Sequence, residues 1–196
     1  MMNPTRRRST LDDFWTIPED QRFHELIAGE IVPKASPSVA HGSTQLLLGA
    51  AIQPFHRSSG GRGGPGGWWF ASETEILLEP DLVRPDVAGW RRDRYPQRPT
   101  GTPTRHRPDW ICEIVSPSNA THDTVTKLQL YHRARIQHYW LLDPDAATLT
   151  VMRWTADGFL TVLTAARGDT VRAEPFELLE LVVGTLFGDD PPDPAA

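Results

Sequence analysis

The sequence has few cysteines and lysines and no long hydrophobic run. Its single cysteine, Cys112, excludes an intramolecular disulfide and a cysteine-rich zinc site. No apolar run approaches the roughly 20 residues that a helix needs to cross a bilayer. The first residues are polar and basic and lack the apolar segment of a secretory signal. These absences predict a protein without a membrane segment, and we expect a cytoplasmic location.

What is present is ordinary for one globular domain. The chain has 196 residues, of which 39% are hydrophobic and 23% are charged, so it is long enough to bury a core. We predict a flexible tail at residues 1–9, a single domain at 10–187, and a disordered, acidic and proline-rich tail at 188–196. The composition leaves open whether the chain acts alone or as a homodimer.

The order of the secondary-structure patterns predicts a mixed α/β fold. Three helices are expected: a short one that begins after Thr10 and ends before Pro18, one at 41–56, and one from Thr121 to about Arg135 with Asp123 in its first turn. Strands are expected at about 68–78, 84–90, 109–115 and 138–143, with hairpins at 23–32 and 148–164. We therefore predict one mixed central sheet flanked by helices, with additional β-hairpins near the N-terminus and the C-terminus.

Lysine is the rarest charged residue of the chain. The 20 lysines and arginines include only two lysines, Lys34 and Lys127. On a helix with about 100° per residue, Lys127 shares its face with Leu130 and Tyr131, which predicts that it faces the sheet. A lysine ammonium is a compact charge whose pKa changes on burial, which suits proton transfer and the neutralisation of a developing anion.

Two carboxylates lie in segments that otherwise read as buried strands, Asp86 and Glu113. A buried carboxylate is costly unless it is paired or binds a cation. Together with Lys127 they predict a metal site in which both carboxylates and the backbone carbonyl of Ile114 bind Mg²⁺ or Mn²⁺. Lys127 would orient the attacking water and neutralise charge in the transition state. A buried ion pair that serves only packing is the alternative.

The segment between these two strands is strongly basic. Residues 91–107 contain six arginines and a single acid, Asp93. The candidate contacts to nucleic-acid phosphates are Arg91, Arg92, Arg94, Arg105 and Arg107. A solvated arginine-rich loop fits the sequence equally well, and the net charge of -5 argues against indiscriminate nucleic-acid binding.

The ordered motifs resemble a known family. The segments that carry the resemblance include Arg84-Pro-Asp-Val-Ala-Gly-Trp90, Pro108-Asp-Trp-Ile-Cys-Glu-Ile-Val-Ser-Pro-Ser118 and Asp123-Thr-Val-Thr-Lys-Leu-Gln-Leu-Tyr131. They are similar to the Uma-type restriction endonucleases within the PD-(D/E)XK nuclease superfamily, over about residues 10–187. The resemblance implies a restriction-endonuclease-like core and an Mg²⁺-dependent endonuclease that hydrolyses phosphodiester bonds of DNA.

The resemblance also assigns roles to individual residues. It implies that Asp86 is the motif aspartate and Glu113 the second motif acid. The position two residues after Glu113, where the superfamily pattern has lysine, is Val115, so Lys127 on the next helix is its substitute. This displaced lysine leaves an alternative open: a catalytically inactive nuclease-fold protein that binds nucleic acid or a partner protein.

Four further polar residues have no assigned role in the sequence. His41 begins a predicted helix and is either a further metal ligand or structural. The roles of Glu25 and Glu30 in the first hairpin are equally open, and surface positions are one alternative. Asp109 begins a predicted strand, where we expect it to be exposed.

Overall fold

The computed structural model describes residues 7–57, 65–116 and 125–191. The helices of this part of the chain are α1 (Leu11–Trp15), α2 (Val39–Ile52) and α3 (Lys127–Arg133). The strands are β1 (His24–Ile27), β2 (Glu30–Pro33), β3 (Trp68–Ser72), β4 (Ile76–Leu78), β5 (Asp81–Val83), β6 (Val87–Arg91), β7 (Trp110–Ile114), β8 (His138–Asp143), β9 (Thr148–Thr155), β10 (Gly158–Ala166), β11 (Thr170–Val171) and β12 (Leu181–Val182). Among these residues, no helix is long and apolar enough to span a bilayer.

The larger sheet contains six strands in the order β10-β9-β8-β7-β6-β3. Its neighbours are antiparallel except for β7 and β8, which run parallel and are joined by the crossover that contains α3. The sheet is therefore mixed, which confirms the predicted fold class. The predicted C-terminal hairpin is the pair β9 and β10, and it extends this sheet beyond β8.

A smaller sheet has the order β2-β1-β5-β4, and the predicted N-terminal hairpin forms its outer half. The single strand expected at 68–78 is wrong, because β3 and β4 belong to different sheets. Glu73 between them has a φ of 51°, which a continuous strand does not allow. The strand expected at 84–90 begins only at Val87, since Pro85 has no N–H to donate to a neighbouring strand.

The helices begin where capping residues place them. Thr10 and Asp13 form a reciprocal capping box at the start of α1. Ser38 Oγ accepts a hydrogen bond from the backbone N–H of His41 at 3.1 Å, so α2 begins two residues earlier than expected and carries His41 in its first turn. The predicted cap at Thr121 and the acid at Asp123 lie outside the described residues.

Side chains of the central strand β7 alternate between two cores. Trp110 and Cys112 pack into the core beneath α2, whereas Ile111 packs on the face that carries α3. Glu113 lies two residues after Ile111 and therefore faces α3 and the smaller sheet. This alternation brings the motif acid to the side on which Lys127 begins its helix.

Candidate metal centre

Asp86 lies directly before β6, beside the C-terminal end of β7. Its Oδ2 accepts a hydrogen bond from the backbone N–H of Ile114 at 2.6 Å, and its Oδ1 accepts one from the Lys34 ammonium at 2.8 Å. His41 Nε2 lies 3.3 Å from the same Oδ1. Burial favours the neutral acid, but the hydrogen bond from His41 and the charge of Lys34 outweigh it and hold the pKa of Asp86 well below its ordinary value. Asp86 is therefore an anion at neutral pH.

Glu113 is bound to two residues of α3. Its Oε1 accepts hydrogen bonds from the Lys127 ammonium at 3.1 Å and from the Tyr131 hydroxyl at 2.5 Å. The Lys127 ammonium also lies 3.2 Å from Glu25 Oε2. Lys127 is only 2% exposed, so its side chain faces the sheet.

The electrostatics of Glu113 differ from those of Asp86. Complete burial raises the pKa of Glu113 to about 8, an effect that the charge of Lys127 opposes and that of Asp86 reinforces. Burial and the neighbouring Glu113 likewise raise the pKa of Tyr131 well above its ordinary value. At neutral pH and without a cation, the Glu113 carboxyl therefore retains a proton for most of the time.

Lys34 also belongs to the candidate site, although the sequence patterns did not predict it there. The Lys34 ammonium donates to the Arg84 carbonyl at 2.5 Å as well as to Asp86, and it lies 3.5 Å from Glu73 Oε2. Burial disfavours its charge, but Glu113 and Asp86 outweigh this and raise the pKa of Lys34. The scarcity of lysine was the available signal, since both lysines end at carboxylates of this site.

Of the two hairpin acids, only one belongs to the site. Glu25 is buried in β1, where its Oε1 accepts a hydrogen bond from the Arg84 backbone N–H at 2.8 Å while its Oε2 faces Lys127. Glu25, whose role the sequence left open, is therefore a buried residue of the site. Glu30 is exposed on β2.

A cavity of about 20 Å³ lies between these side chains. Its lining includes Asp86, Glu113, Ile114 and Lys127, the four residues that the sequence predicted together. A volume of this size holds one water molecule or one ion.

The charges around the cavity favour a cation. Four carboxylates, those of Glu25, Glu73, Asp86 and Glu113, surround the ammonium groups of the two lysines. If all were ionised, the cluster would carry an excess of two negative charges, which one divalent cation balances. The oxygen-rich donor set fits Mg²⁺ or Mn²⁺.

A second group of potential ligands shares Asp86. Ligand atoms of His41, Glu73 and Asp86 lie within 4.8 Å of one another. The sequence left two alternatives for His41, a metal ligand or a structural residue. Its position beside Glu73 and Asp86 allows it to bind a cation. The mixture of one imidazole with two carboxylates suits Mn²⁺ better than Mg²⁺.

The arginine loop begins at the opposite end of β6 from Asp86. The strand runs from Val87 to Arg91, and β7 returns antiparallel from Trp110 towards Glu113. The loop between these strands therefore leaves the sheet at the end remote from the two carboxylates. The structure does not bring the predicted arginine contacts together with the candidate metal ligands.

Each of these arginines has a partner within the chain. Arg94 Nη1 lies 2.6 Å from Asp109 Oδ1. The expectation that Asp109 is exposed was wrong: its carboxylate is buried, because it is paired with this guanidinium. Arg92 stacks on the Trp69 ring at 3.3 Å. The remaining three pair with exposed acids or a carbonyl: Arg91 with Asp93, Arg105 with Glu79, and Arg107 with the Ala134 carbonyl.

Comparisons with known proteins confirm the family suggested by the motifs. Residues 11–184 match the model of the Uma2 family, described as "Putative restriction endonuclease". The fold is similar to that of a protein from Anabaena variabilis ATCC 29413, described as a "putative nuclease belonging to DUF820". The TM-score is 0.66 at 23% sequence identity, and the alignment covers 91% of this chain and 97% of that chain. No curated protein matches the chain.

Proposed function

Since the chain belongs to the Uma2 family of restriction-endonuclease-like proteins, we propose that it is a metal-dependent nuclease that hydrolyses phosphodiester bonds of DNA. One observation carries the proposal: Asp86, Glu113 and Lys127 line a single buried cavity with room for one ion. A structural ion pair needs no such space, whereas a cation site does.

The proposed ligands are the carboxylates of Asp86 and Glu113 and the backbone carbonyl of Ile114. When bound, Mg²⁺ or Mn²⁺ would polarise the phosphate and lower the pKa of an attacking water. Glu113 must release its proton to become a ligand, and the adjacent Lys127 ammonium favours that ionisation. Tyr131, through its hydrogen bond to Oε1, fixes the orientation of the Glu113 carboxylate.

Lys127 is the proposed catalytic cation. Its ammonium reaches the cavity from α3 and is held by Glu113 and Glu25, so it can orient the nucleophilic water and stabilise negative charge on the phosphate. Glu25 is a positioning residue, because it contacts the lysine from the smaller sheet. Lys34 offsets the charge of Asp86 on the other side of the cavity.

The arginine loop is proposed as a contact to DNA phosphates outside the cleavage site. The set comprises Arg91, Arg92, Arg94, Arg105 and Arg107. Arg91 and Arg105 are 57% and 74% exposed at their side chains, and among the described residues they pair with exposed acids. Such ion pairs are weak, so a phosphate can replace them. Such contacts would hold the backbone without reading the bases.

A cation titration followed by a cleavage assay tests the function. Calorimetry should detect Mn²⁺ or Mg²⁺ binding to the purified chain, and labelled DNA oligonucleotides should be cut only when one of these cations is present. Asp86→Asn should lose both properties. A wild-type chain that binds the cation and DNA but cleaves neither single-stranded nor duplex DNA would contradict nuclease activity and favour a binding module.

A further inference from the structure

A groove of about 940 Å³ lies between helix α2 and strand β3. Strand β3 is an edge of the six-stranded sheet, so among the described residues no further strand pairs with its outer side. The inner end of the groove is formed by Gln45 and Glu73. Gln45 Nε2 and the Glu73 backbone N–H both donate to the Asp86 carbonyl, at 2.8 and 3.3 Å. The groove therefore begins beside the candidate metal centre.

Two glycines of α2 line this groove, Gly42 and Gly49. A Cβ atom placed on either glycine would meet no described atom within 4 Å. Packing among the described residues therefore does not require glycine at these positions, although glycine destabilises a helix interior relative to alanine. Within the part of the chain that the structure describes, no atom fills the space beside these glycines.

The lining of the groove is mostly apolar and carries almost no charge. Helix α2 contains no aspartate, glutamate, lysine or arginine, and its Leu46 is 75% exposed. Phe70 and Ala50 add further apolar surface. A DNA duplex presents phosphates outward and hides the faces of its bases, whereas an unpaired strand offers base faces to apolar and aromatic side chains.

Positive charge lies at the outer end of the groove. Arg98 lines the groove together with His56. Burial lowers the pKa of His56, and the charges of Arg92 and Arg98 lower it further, which indicates a positive potential at this end. Phosphates of a strand that enters here would meet this potential before the chain reaches Glu73 at the inner end.

The depth of the metal centre favours the same class of substrate. Asp86 and Glu113 are each 1% exposed, and the cavity between them admits one ion. A rigid duplex cannot enter so narrow a site, whereas a flexible single strand can approach it along the groove.

We propose that the groove between α2 and β3 binds an unpaired nucleic-acid strand and directs it to Asp86, so that the substrate is single-stranded or frayed and not an intact duplex. This inference rests on the proposed nuclease function for its biological meaning, but the binding site itself can be tested without cleavage. Arg98 contacts phosphate, and the space at Gly49 accommodates a base or sugar.

The test compares two substitutions at one position, Gly49→Leu and Gly49→Ala. Fluorescence anisotropy with a chelator present measures the affinity for an oligothymidylate of about 12 nucleotides and for a duplex of the same length. The single strand should bind at least about tenfold more tightly than the duplex, and Gly49→Leu should weaken single-strand binding by about tenfold or more, since one lost stacking contact has this effect. Gly49→Ala should bind nearly as the wild type, and Arg98→Ser should reduce the salt dependence of binding.

Several outcomes would overturn the proposal. Equal affinity for duplex and single strand would do so, as would a Gly49→Leu variant that binds the oligothymidylate normally. If light scattering shows a dimer that Gly49→Leu dissociates without any effect on DNA binding, the groove is an interface between two copies of the chain. Mn²⁺ binding to Gly49→Leu, measured by calorimetry, should be unchanged and shows that the variant is folded.

Failure of the groove and failure of the nuclease function give different results. If Gly49→Leu weakens single-strand binding but the wild type cleaves no DNA with any divalent cation, the binding role of the groove is supported and the nuclease function is rejected. If the wild type cleaves duplex DNA in the presence of a cation and Gly49→Leu cleaves it equally well, the nuclease function is supported and the proposed role of the groove is rejected.

Discussion

The Lys34 ammonium donates a hydrogen bond to Asp86 Oδ1 at 2.8 Å, on the side from which His41 also approaches that oxygen. Oδ1 thus faces two donors, whereas Oδ2 accepts one hydrogen bond, from the Ile114 backbone N–H. A metal cation that binds at Oδ1 would therefore compete with the Lys34 ammonium for this oxygen.

This competition predicts the effect of Lys34→Met. The substitution should lower the melting temperature of the cation-free protein, because it removes the lysine ammonium that is paired with the buried Asp86 charge. It should also raise Mn²⁺ affinity by about tenfold, the usual value of one hydrogen bond to a charged group. Lys34→Arg retains the positive charge and is the control. A Mn²⁺ affinity in Lys34→Met at or below that of the wild type would show that the ammonium does not compete.

The two motif acids should respond differently to neutralisation. Asp86→Asn and Glu113→Gln should both abolish Mg²⁺ or Mn²⁺ binding in calorimetry, because each removes a ligand charge. In the cation-free protein at pH 7, Glu113→Gln should change the melting temperature little, since this carboxyl already retains a proton. Asp86→Asn should destabilise the protein, because Asp86 is ionised and paired. If cation binding persists in both variants, Asp86 and Glu113 are not the metal ligands, and their pairs with Lys34 and Lys127 serve packing alone.

The raised pKa of Glu113 predicts how stability depends on pH. Its ordinary value is 4.5 and its value in the folded protein is about 8. Between these values the folded state holds a proton that the unfolded state has released, so the free energy of unfolding should fall as pH rises from about 4.5 to about 8. Asp86 has a lowered pKa, so its contribution should be lost only as pH falls below about 4.

Thermal melts in a chelating buffer across this range test the assignment. The decline above pH 4.5 should be much smaller in Glu113→Gln than in the wild type. Mn²⁺ affinity should rise by up to about tenfold per pH unit below pH 8, because Glu113 must lose its proton to bind the ion. A decline of equal slope in Glu113→Gln would assign the proton to another group.

Lys127→Met tests the proposed catalytic role of Lys127. The variant should bind Mn²⁺ and DNA but lose cleavage by about 10²-fold or more, the effect of removing one transition-state contact. Lys127→Arg should also fail, because a guanidinium is larger and holds its proton too tightly to act in proton transfer. If both Lys127 variants cleave DNA at the wild-type rate, the residue has no part in the mechanism.

The arginine loop predicts a change in the salt dependence of DNA binding. Replacing Arg92, Arg94 and Arg105 together by serine should weaken binding at low salt and reduce the slope of log affinity against log salt by about one for each lost phosphate contact. Arg105→Ser alone separates this effect from folding, because Arg105 pairs with exposed Glu79, whereas Arg94 pairs with buried Asp109. An unchanged slope in a folded triple variant would assign the arginines to structural pairing.

The sequence identified the parts of the site that depend on short-range patterns. Asp86 and Glu113 stand out as acids within apolar strands, and helical periodicity places Lys127 on the buried face of α3. The Lys34–Asp86 contact joins residues 52 positions apart, and it depends on how the smaller sheet packs against the larger one. Periodicity within one element cannot report such a contact.

The arginine loop shows the opposite error. Its position in the sequence, between the strands of Asp86 and Glu113, suggested that it lies beside them. Because these strands are antiparallel, the acids lie at one end and the connecting loop at the other. Closeness along the chain was therefore a poor guide to closeness in space.

The dependence of the site on the N-terminal hairpin has a consequence for protein synthesis. Glu25 emerges from the ribosome early, but its partner Lys127 follows only after about a hundred more residues, and the chain is made at about 5–20 residues per second. A nascent chain or an early truncation product thus lacks the ion pair between Lys127 and Glu25. A cell that makes this protein would meet a complete site only in molecules translated beyond residue 127.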